Sequence, residues 1–219
     1  MPSLLRPLRL PRRRTLQLSG AFLALVLVGA AVLLATANRP LFGGLDTGWA
    51  AAMLANRTPG LTAVNLVLNF VGNTGMVIYG ALLFALLLRR NPSLALYTAV
   101  ANLGALGLTH LIKFLVARPR PEHRLVSVDS GAFPSGHTSA TAAAVVCTAV
   151  LVNRLWVWLS GTLLVLAMMW SRTYLGAHWL SDTVAGTLLG AGLALLFWAA
   201  AQDQFLGRHA LAPGLDGGS

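Results

Sequence analysis

The stretch SRTYLGAHWLSD, Ser171–Asp182, sets several polar side chains between two apolar runs of the chain. If it is helical, His178 and Asp182 lie on one face a single turn apart, because they are four residues apart. Asp182 could then accept one imidazole N–H and leave the other ring nitrogen as a nucleophile. Arg172 could supply a forked cation for a phosphate or carboxylate. The alternative interpretation is a capped helix start with a buried, hydrogen-bonded histidine.

The composition is that of an integral membrane protein. Of the 219 residues, 56% are hydrophobic and 10% are charged, and mean hydropathy is +0.71, whereas soluble domains carry about 25% charged residues. The net charge of +10 does not indicate nucleic-acid binding, because five of the 15 arginines lie between Arg6 and Arg14 and others end apolar runs. That placement is typical of membrane topology signals. A single cysteine, Cys147, excludes a disulfide within the chain.

The apolar runs predict an all-α, polytopic membrane protein with six transmembrane helices. The first run also resembles a signal peptide with a cleavage-like Ala35–Ala37, but its apolar core exceeds the usual 7–15 residues and favours an uncleaved anchor. The second run is interrupted by Gly72–Gly75. The predicted spans are Leu16–Ala37, Leu61–Leu88, Leu94–Val116, Ser135–Val152, Leu155–Trp170 and Leu180–Ala200.

The charge pattern assigns a side of the membrane to each connection. Residues 1–14 are predicted to be a basic cytoplasmic tail, 15–207 a six-span membrane domain, and 208–219 a flexible tail. Asn38–Pro59 is expected to be an extracytoplasmic loop with a short interfacial helix. The positive-inside bias puts both termini in the cytoplasm. Against that bias, one basic cluster falls outside and is expected to serve chemistry: Arg118, Arg120, Arg124 and Arg172.

Lys113 is the only lysine in the protein, near the outer end of the third predicted span. An ammonium at that depth is costly unless it is paired or binds an anion. The alternative is an interfacial anchor that snorkels to water. Arg118-Pro119-Arg120-Pro121 follows, where the prolines fix the backbone and aim the guanidinium groups; this piece could also be a stiff basic loop.

The sequence FPSGH, Phe133–His137, precedes the fourth predicted span. A Pro-Ser-Gly turn that opens a helix offers free backbone N–H groups and the positive end of the helix dipole, which together form an anion site. His137 is expected in the first turn of this helix, facing the same aqueous mouth as the basic cluster. An ordinary N-cap with a surface histidine is the alternative.

Together these pieces supply what a phosphoryl transfer through a covalent intermediate requires: cations, a helix N-terminus and two histidines. The sequence has no acidic cluster suited to Mg²⁺ and no His/Cys/Asp set with zinc spacing. Side chains must therefore provide the positive charge. The residues predict a metal-independent phosphatase without a cofactor.

The three pieces resemble the signature of the type 2 phosphatidic acid phosphatase superfamily. The matching residues are Lys113-x6-Arg120-Pro121, Pro134-Ser135-Gly136-His137 and Ser171-Arg172-x5-His178-x3-Asp182. The resemblance extends from the third span to the end, about half the chain. It implies the helical core shared by these phosphatases and the vanadium haloperoxidases, in its membrane-bound branch.

The resemblance also implies a role for each matching residue. His178 would attack phosphorus and become a phosphohistidine, with Asp182 orienting its ring. His137 would protonate the leaving oxygen and then activate water. Arg118 is expected at the rim, meeting a second phosphate or a lipid headgroup, and Ser171 is expected to cap or position Arg172. The phosphate oxygens would be bound by Lys113, Arg120, Arg172, Ser135 and the Gly136 backbone.

The expected activity is removal of phosphate from a lipid phosphate or pyrophosphate at the extracytoplasmic face. The family resemblance favours polyprenyl pyrophosphate, then phosphatidic acid or phosphatidylglycerophosphate. The alternatives are a lipid phosphotransferase using the same site and a catalytically silent anion- or lipid-binding membrane protein. The partners expected are a lipid phosphate substrate and membrane lipids, without nucleic acid; self-association into a homo-oligomer stays open.

Overall fold

A computed structural model of the chain describes the backbone of residues 7–128 and 130–210, and the side chains of these as far as residue 202. The described residues contain only helices and their connections. Parts of both predicted tails, residues 1–6 and 211–219, lie outside the description. The helices are α1 Arg12–Ala35, α2 Gly43–Ala55, α3 Pro59–Phe70, α4 Met76–Leu88, α5 Pro92–Val116, α6 Gly136–Val152, α7 Leu155–Tyr174 and α8 Leu180–Ala210.

Five helical segments are long and apolar enough to cross a membrane. The remaining predicted span, the fourth, is α6, which is apolar but has only 17 residues. The all-α, multi-pass architecture is thus confirmed, and the count of six spans includes one short helix. The five longer segments are α1, the joined α3 and α4, α5, α7, and α8 to Gln202.

The glycine-rich interruption of the second predicted span is a π-helical turn, Val71–Gly75, and the helix continues on both sides of it. The segment begins at Thr58, whose side chain caps the Leu61 N–H at 3.2 Å, with Pro59 in the first turn. A single π-helical turn inside a helix often marks a functional site. Here it lines the cavity described below.

Helices α6 and α8 pack closely through small residues. Gly186 and Gly190, four residues apart on α8, face the backbone of α6 so closely that a Cβ at either position would overlap a carbonyl oxygen, that of Ser135 or Ser139. Such spacing of small residues lets two membrane helices approach each other. The Ser135 N–H also donates to the Asp182 carbonyl at 2.9 Å, so the N-terminal ends of α6 and α8 are fixed side by side.

The two ends of the helical bundle differ in character. One end has a buried cluster that includes Cys147 and the ring pair Tyr97–Trp198, with centroids 5.4 Å apart. The basic residues that flank the spans lie at this end: Arg12, Arg13, Arg14, Arg89, Arg90 and Arg154. At the other end α5 and α7 finish, and α6 and α8 begin.

Candidate active site

The residues singled out in the sequence meet where α5 and α7 end and α6 and α8 begin. A cavity of about 560 Å³ opens there, within the size range of small-molecule sites. Ser135 and Asp182 are fully buried and do not line it. The six other predicted site residues do: Lys113, Arg120, Gly136, His137, Arg172 and His178.

A tight turn after α7 positions His178. The N–H groups of Ala177 and His178 both donate back to the Arg172 carbonyl, at 3.1 and 3.2 Å. Gly176 in this turn has φ +67°, and a Cβ there would lie 2.6 Å from the His123 carbonyl oxygen. Glycine is therefore required at position 176, and the imidazole lies under the loop that follows α5.

The contacts of the His178 ring define its tautomer. Nδ1 lies 2.7 Å from the Ala132 carbonyl oxygen, which can only accept, so Nδ1 carries the proton. Nε2 lies 3.2 Å from an NH group of Arg120, a donor, and must offer its lone pair. The ring nitrogen with a free lone pair is thus Nε2, and it faces a cation.

Asp182 does not orient the ring in the way the sequence predicted. Its Oδ2 is 3.7 Å from His178 Nδ1 and accepts instead from the Trp179 N–H at 2.8 Å. The Ala132 carbonyl holds the ring because the loop before α6 brings it closer. The carboxylate is still near enough to stabilise a positive charge on His178.

Arg118 is not a rim residue. It is 3% exposed and forms ion pairs with Asp182 at 2.5 Å and with Asp46 of α2 at 2.7 Å. The reason is the end of α5 at Ala117, where φ of +46° turns the chain, so that Arg118 is directed towards α8 and Arg120 towards the cavity.

Ser171 does not cap or position Arg172. Its hydroxyl donates to the Asn65 carbonyl at 3.0 Å and joins α7 to α3.

Loop carbonyl groups hold two of the three cations at the cavity wall. Lys113 Nζ donates to the Gly131 carbonyl at 2.6 Å, and Arg120 donates to the same oxygen at 3.0 Å. Arg120 also binds the carbonyls of Ser130 and Ala177, at 2.8 and 2.5 Å. Neither cation has a carboxylate partner among the described side chains, so no acidic group there competes with an anion for them.

Arg172 and His137 each have a buried nitrogen without a partner in the described part of the chain, Nε and Nε2 respectively. Arg172 is fully buried, and its other end donates to the side chain of Asn69. Buried polar groups are rarely left unpaired in folded proteins. Because both residues line the cavity, a ligand with acceptor oxygens would satisfy Arg172 Nε, and it would also satisfy His137 Nε2 when that nitrogen is protonated.

His178 lies between α7 and α8, outside the spans. Burial lowers its pKa well below the usual range, and the neighbouring cations lower it further. The hydrogen bond to Ala132 opposes this shift. The ring is therefore neutral at neutral pH, as a nucleophile must be. The charges that act on it belong to Lys113, Arg120 and Arg172.

We expect His178 to stay neutral at pH 6, where a histidine with a pKa of about 6.5 would be mostly protonated. This expectation follows because the pKa of the imidazole is lowered in the folded protein. The neutral ring therefore persists as the pH falls through the usual pKa of histidine. Nitrogen NMR of the imidazole-labelled protein in detergent would check this, with the His178→Ala variant assigning the signal. A ring that protonates near pH 6.5, or one protonated on Nε2, would contradict the arrangement.

Among the groups that sequence reasoning missed, three contact His178, Arg172 and Arg118. The Ala132 carbonyl has no sequence signal, because any residue supplies one. Asn69 is a polar residue in an apolar run just before the π-helical turn, which could have indicated a role. Asp46 is one of few acidic residues in the chain but lies far from the signature in sequence. In the described residues, no three His, Cys, Asp or Glu side chains group as metal ligands would.

Two groups of curated proteins are similar to this chain. An undecaprenyl-diphosphatase of Sulfolobus acidocaldarius is 26% identical over 118 residues, 51% of this chain and 57% of that protein. Decaprenylphosphoryl-5-phosphoribose phosphatase of Mycobacterium tuberculosis is 36% identical over 116 residues, 51% of this chain and 63% of that protein. The chain thus matches less than two thirds of the length of these relatives.

A solved structure has a similar fold. The transmembrane PAP2-type phosphatidylglycerolphosphate phosphatase of Bacillus subtilis superposes with a TM-score of 0.68 at 24% identity, covering 84% of this chain and 97% of that one. Residues 92–206, more than half of the 219, match the sequence profile of the PAP2 superfamily. This match contains every signature residue and both helix pairs that frame the cavity, and the chain belongs to the PAP2 superfamily.

Proposed function

We propose that this protein is a metal-independent lipid phosphatase that acts through a phosphohistidine at His178. The observation that carries the proposal is the neutral Nε2 of His178, placed 3.2 Å from Arg120 in a cavity lined by two further cations and by His137. Such a group of cations neutralises the oxygens of a phosphate as charge develops during transfer. The signature residues that line the cavity keep the roles that the family resemblance implies, whereas Asp182 acts by charge rather than by orienting the ring.

The reaction would proceed in two steps. The substrate phosphate takes over the donors of Lys113, Arg120 and Arg172, and His178 Nε2 forms a bond to phosphorus as the bond to the leaving oxygen breaks. Protonated His137 gives its proton to that oxygen. In the second step His137 takes a proton from water, which attacks phosphorus, and the phosphorus–nitrogen bond breaks. Asp182 stabilises the positive ring of the intermediate.

The shape of the cavity supports a lipid substrate. From the cations it runs between α4 and α5, where its walls are largely apolar. A headgroup at His178 would therefore leave its tail between these helices, in contact with the bilayer. The residues of this apolar part include Met76, Val77, Ala81, Phe84, Leu103 and Leu106.

Polyprenyl pyrophosphate or a polyprenyl-linked phosphate is the substrate class we favour. Both curated relatives are named for polyprenyl substrates, undecaprenyl diphosphate in one and a decaprenylphosphoryl sugar phosphate in the other. Phosphatidylglycerophosphate ranks next, because the Bacillus protein of similar fold is named for it. The active site would face the extracytoplasmic side, since the arginines that flank the spans lie at the opposite end of the bundle.

Phosphate release by the detergent-purified protein tests the proposal. The substrates would be polyprenyl pyrophosphate, phosphatidic acid, phosphatidylglycerophosphate and a soluble phosphomonoester, each with and without EDTA. We expect release from a lipid substrate, undiminished by EDTA and inhibited by vanadate, which resembles the transition state. Strong inhibition by EDTA would contradict the metal-free mechanism. Transfer of the phosphate to an added alcohol rather than to water would indicate a phosphotransferase, and binding of vanadate without release would indicate a silent anion-binding protein.

A further inference from the structure

Asp46 of α2 is a buried carboxylate outside the family signature. It is 2% exposed although it lies on a helix whose other residues are largely exposed. Its Oδ2 accepts from Arg118 at 2.7 Å and from the Ser181 hydroxyl at 2.6 Å, and its Oδ1 accepts from the Ser181 N–H at 2.9 Å. Burial of a carboxylate is costly unless it is paired and hydrogen-bonded. The three hydrogen bonds therefore fix Asp46 in the packed interior at the site end of the bundle.

Arg118 connects this carboxylate to the one beside the nucleophile. Its second nitrogen donates to Asp182 Oδ1 at 2.5 Å and to the Ser181 hydroxyl at 2.8 Å. The guanidinium also lies over the ring of Trp179, 5.7 Å from its centroid. The planar fork of arginine suits such a bridge, since it presents donors in two fixed directions. One side chain therefore joins α2 to the first turn of α8.

The bridge produces a row of alternating charges that ends at the nucleophile. Asp46 is negative, Arg118 positive and Asp182 negative, and the His178 ring becomes positive once it carries a phosphoryl group. If Arg118 were paired with Asp182 alone, its positive charge would cancel much of the negative potential that Asp182 produces at the His178 ring. Asp46 neutralises Arg118 from the other side and so restores that field.

We propose that Asp46 is a positioning residue for the phosphoryl-transfer step, acting through Arg118 on Asp182. This inference rests on the proposed phosphohistidine mechanism. It assigns α2 a part in catalysis, because α2 carries the carboxylate that completes the row. The groups that would bind phosphate, at Lys113, Arg120 and Arg172, have no recorded contact with Asp46.

The test is steady-state kinetics of Asp46→Asn with the lipid substrate found active in the wild type. We expect kcat to fall about tenfold or more, the factor equivalent to one unit of pKa at a coupled group. KM should stay within about twofold, because the phosphate-binding cations are unchanged. Thr47→Ala, one residue away on α2 with an exposed hydroxyl bonded only within its own helix, should leave both parameters unchanged.

A double variant separates action through Arg118 from a local effect. If Asp46 acts through Arg118, the Asp46→Asn/Arg118→Gln pair should lose no more kcat than Arg118→Gln alone. Losses that multiply, or an unchanged kcat in folded Asp46→Asn, would overturn the proposal. If Asp46→Asn fails to fold, Arg118→Lys is the substitute variant, because it keeps the charge but not the fork. It should show the same fall in kcat at constant KM. An unchanged kcat in Arg118→Lys would also overturn the proposal. A wild type that releases no phosphate would instead refute the proposed function itself.

Discussion

Replacement of His178 by alanine is expected to reduce phosphate release by a factor on the order of 10⁴ or more, the scale seen when a covalent nucleophile is removed. Among the side chains that the structure describes, no other histidine can take over, because the turn at Gly176 places the His178 imidazole beside Arg120 and the Ala132 carbonyl. Radiolabelled substrate and product analysis would measure the loss, and vanadate binding would show that the cations remain in place.

His123 provides the matched control for this substitution. Its side chain is exposed in the loop between α5 and α6, so His123→Ala should keep nearly full activity. Retention of more than about one hundredth of the wild-type rate by His178→Ala, in a sample free of wild-type enzyme, would be too much for the loss of a nucleophile. A parallel loss in His123→Ala would mean that the assay reports folding rather than chemistry.

Replacement of His137 by alanine is expected to have an effect that depends on the leaving group. With a lipid phosphate, whose alkoxide must be protonated, kcat should fall about 10²- to 10⁴-fold, the usual contribution of a general acid. With p-nitrophenyl phosphate the leaving group needs no proton, so the first step should proceed. Hydrolysis of the intermediate would still lack its base, and acid-labile phosphohistidine should accumulate.

Trapping the phosphoenzyme with ³²P-labelled substrates measures that accumulation. The label should be absent from a His137→Ala/His178→Ala double variant, because the nucleophile is missing. The structure supports this role through the unpartnered Nε2 of His137 in the cavity wall. Equal losses with both leaving groups and no trapped label would assign His137 to binding rather than proton transfer.

The signature residues could be found from sequence because each motif is local. Lys113 and Arg120 are separated by one helix end, and His178 and Asp182 by one turn, so their spacing already restricts where they can lie. Hydropathy gave the spans for the same reason, since a run of apolar residues long enough to cross a bilayer has few other uses. The helix ends shifted by a few residues, as with α7, which continues to Tyr174 rather than ending at Trp170.

The sequence could not reveal which atoms complete the site across long distances. Arg118 and Arg120 both precede a proline, so the sequence does not distinguish them. The turn at Ala117 decides that Arg118 forms the buried ion pairs and that Arg120 lies at the cavity wall. Asp46 meets Arg118 from 72 residues away, and Asn69 meets Arg172 from 103. Such contacts depend on how whole helices pack, which no local pattern encodes.

The short α6 has a consequence for how deep His137 lies in the bundle. Only two residues join the end of α6 to the beginning of α7, so these two helix ends lie at about the same depth, yet the helices have 17 and 20 residues. At about 1.5 Å per residue the site end of α6 lies roughly one helical turn below that of α7. In the proposed mechanism the phosphate would therefore bind about one helical turn deeper than the end of α7. The depth of the proposed site below the bilayer surface would then depend on bilayer thickness through hydrophobic mismatch.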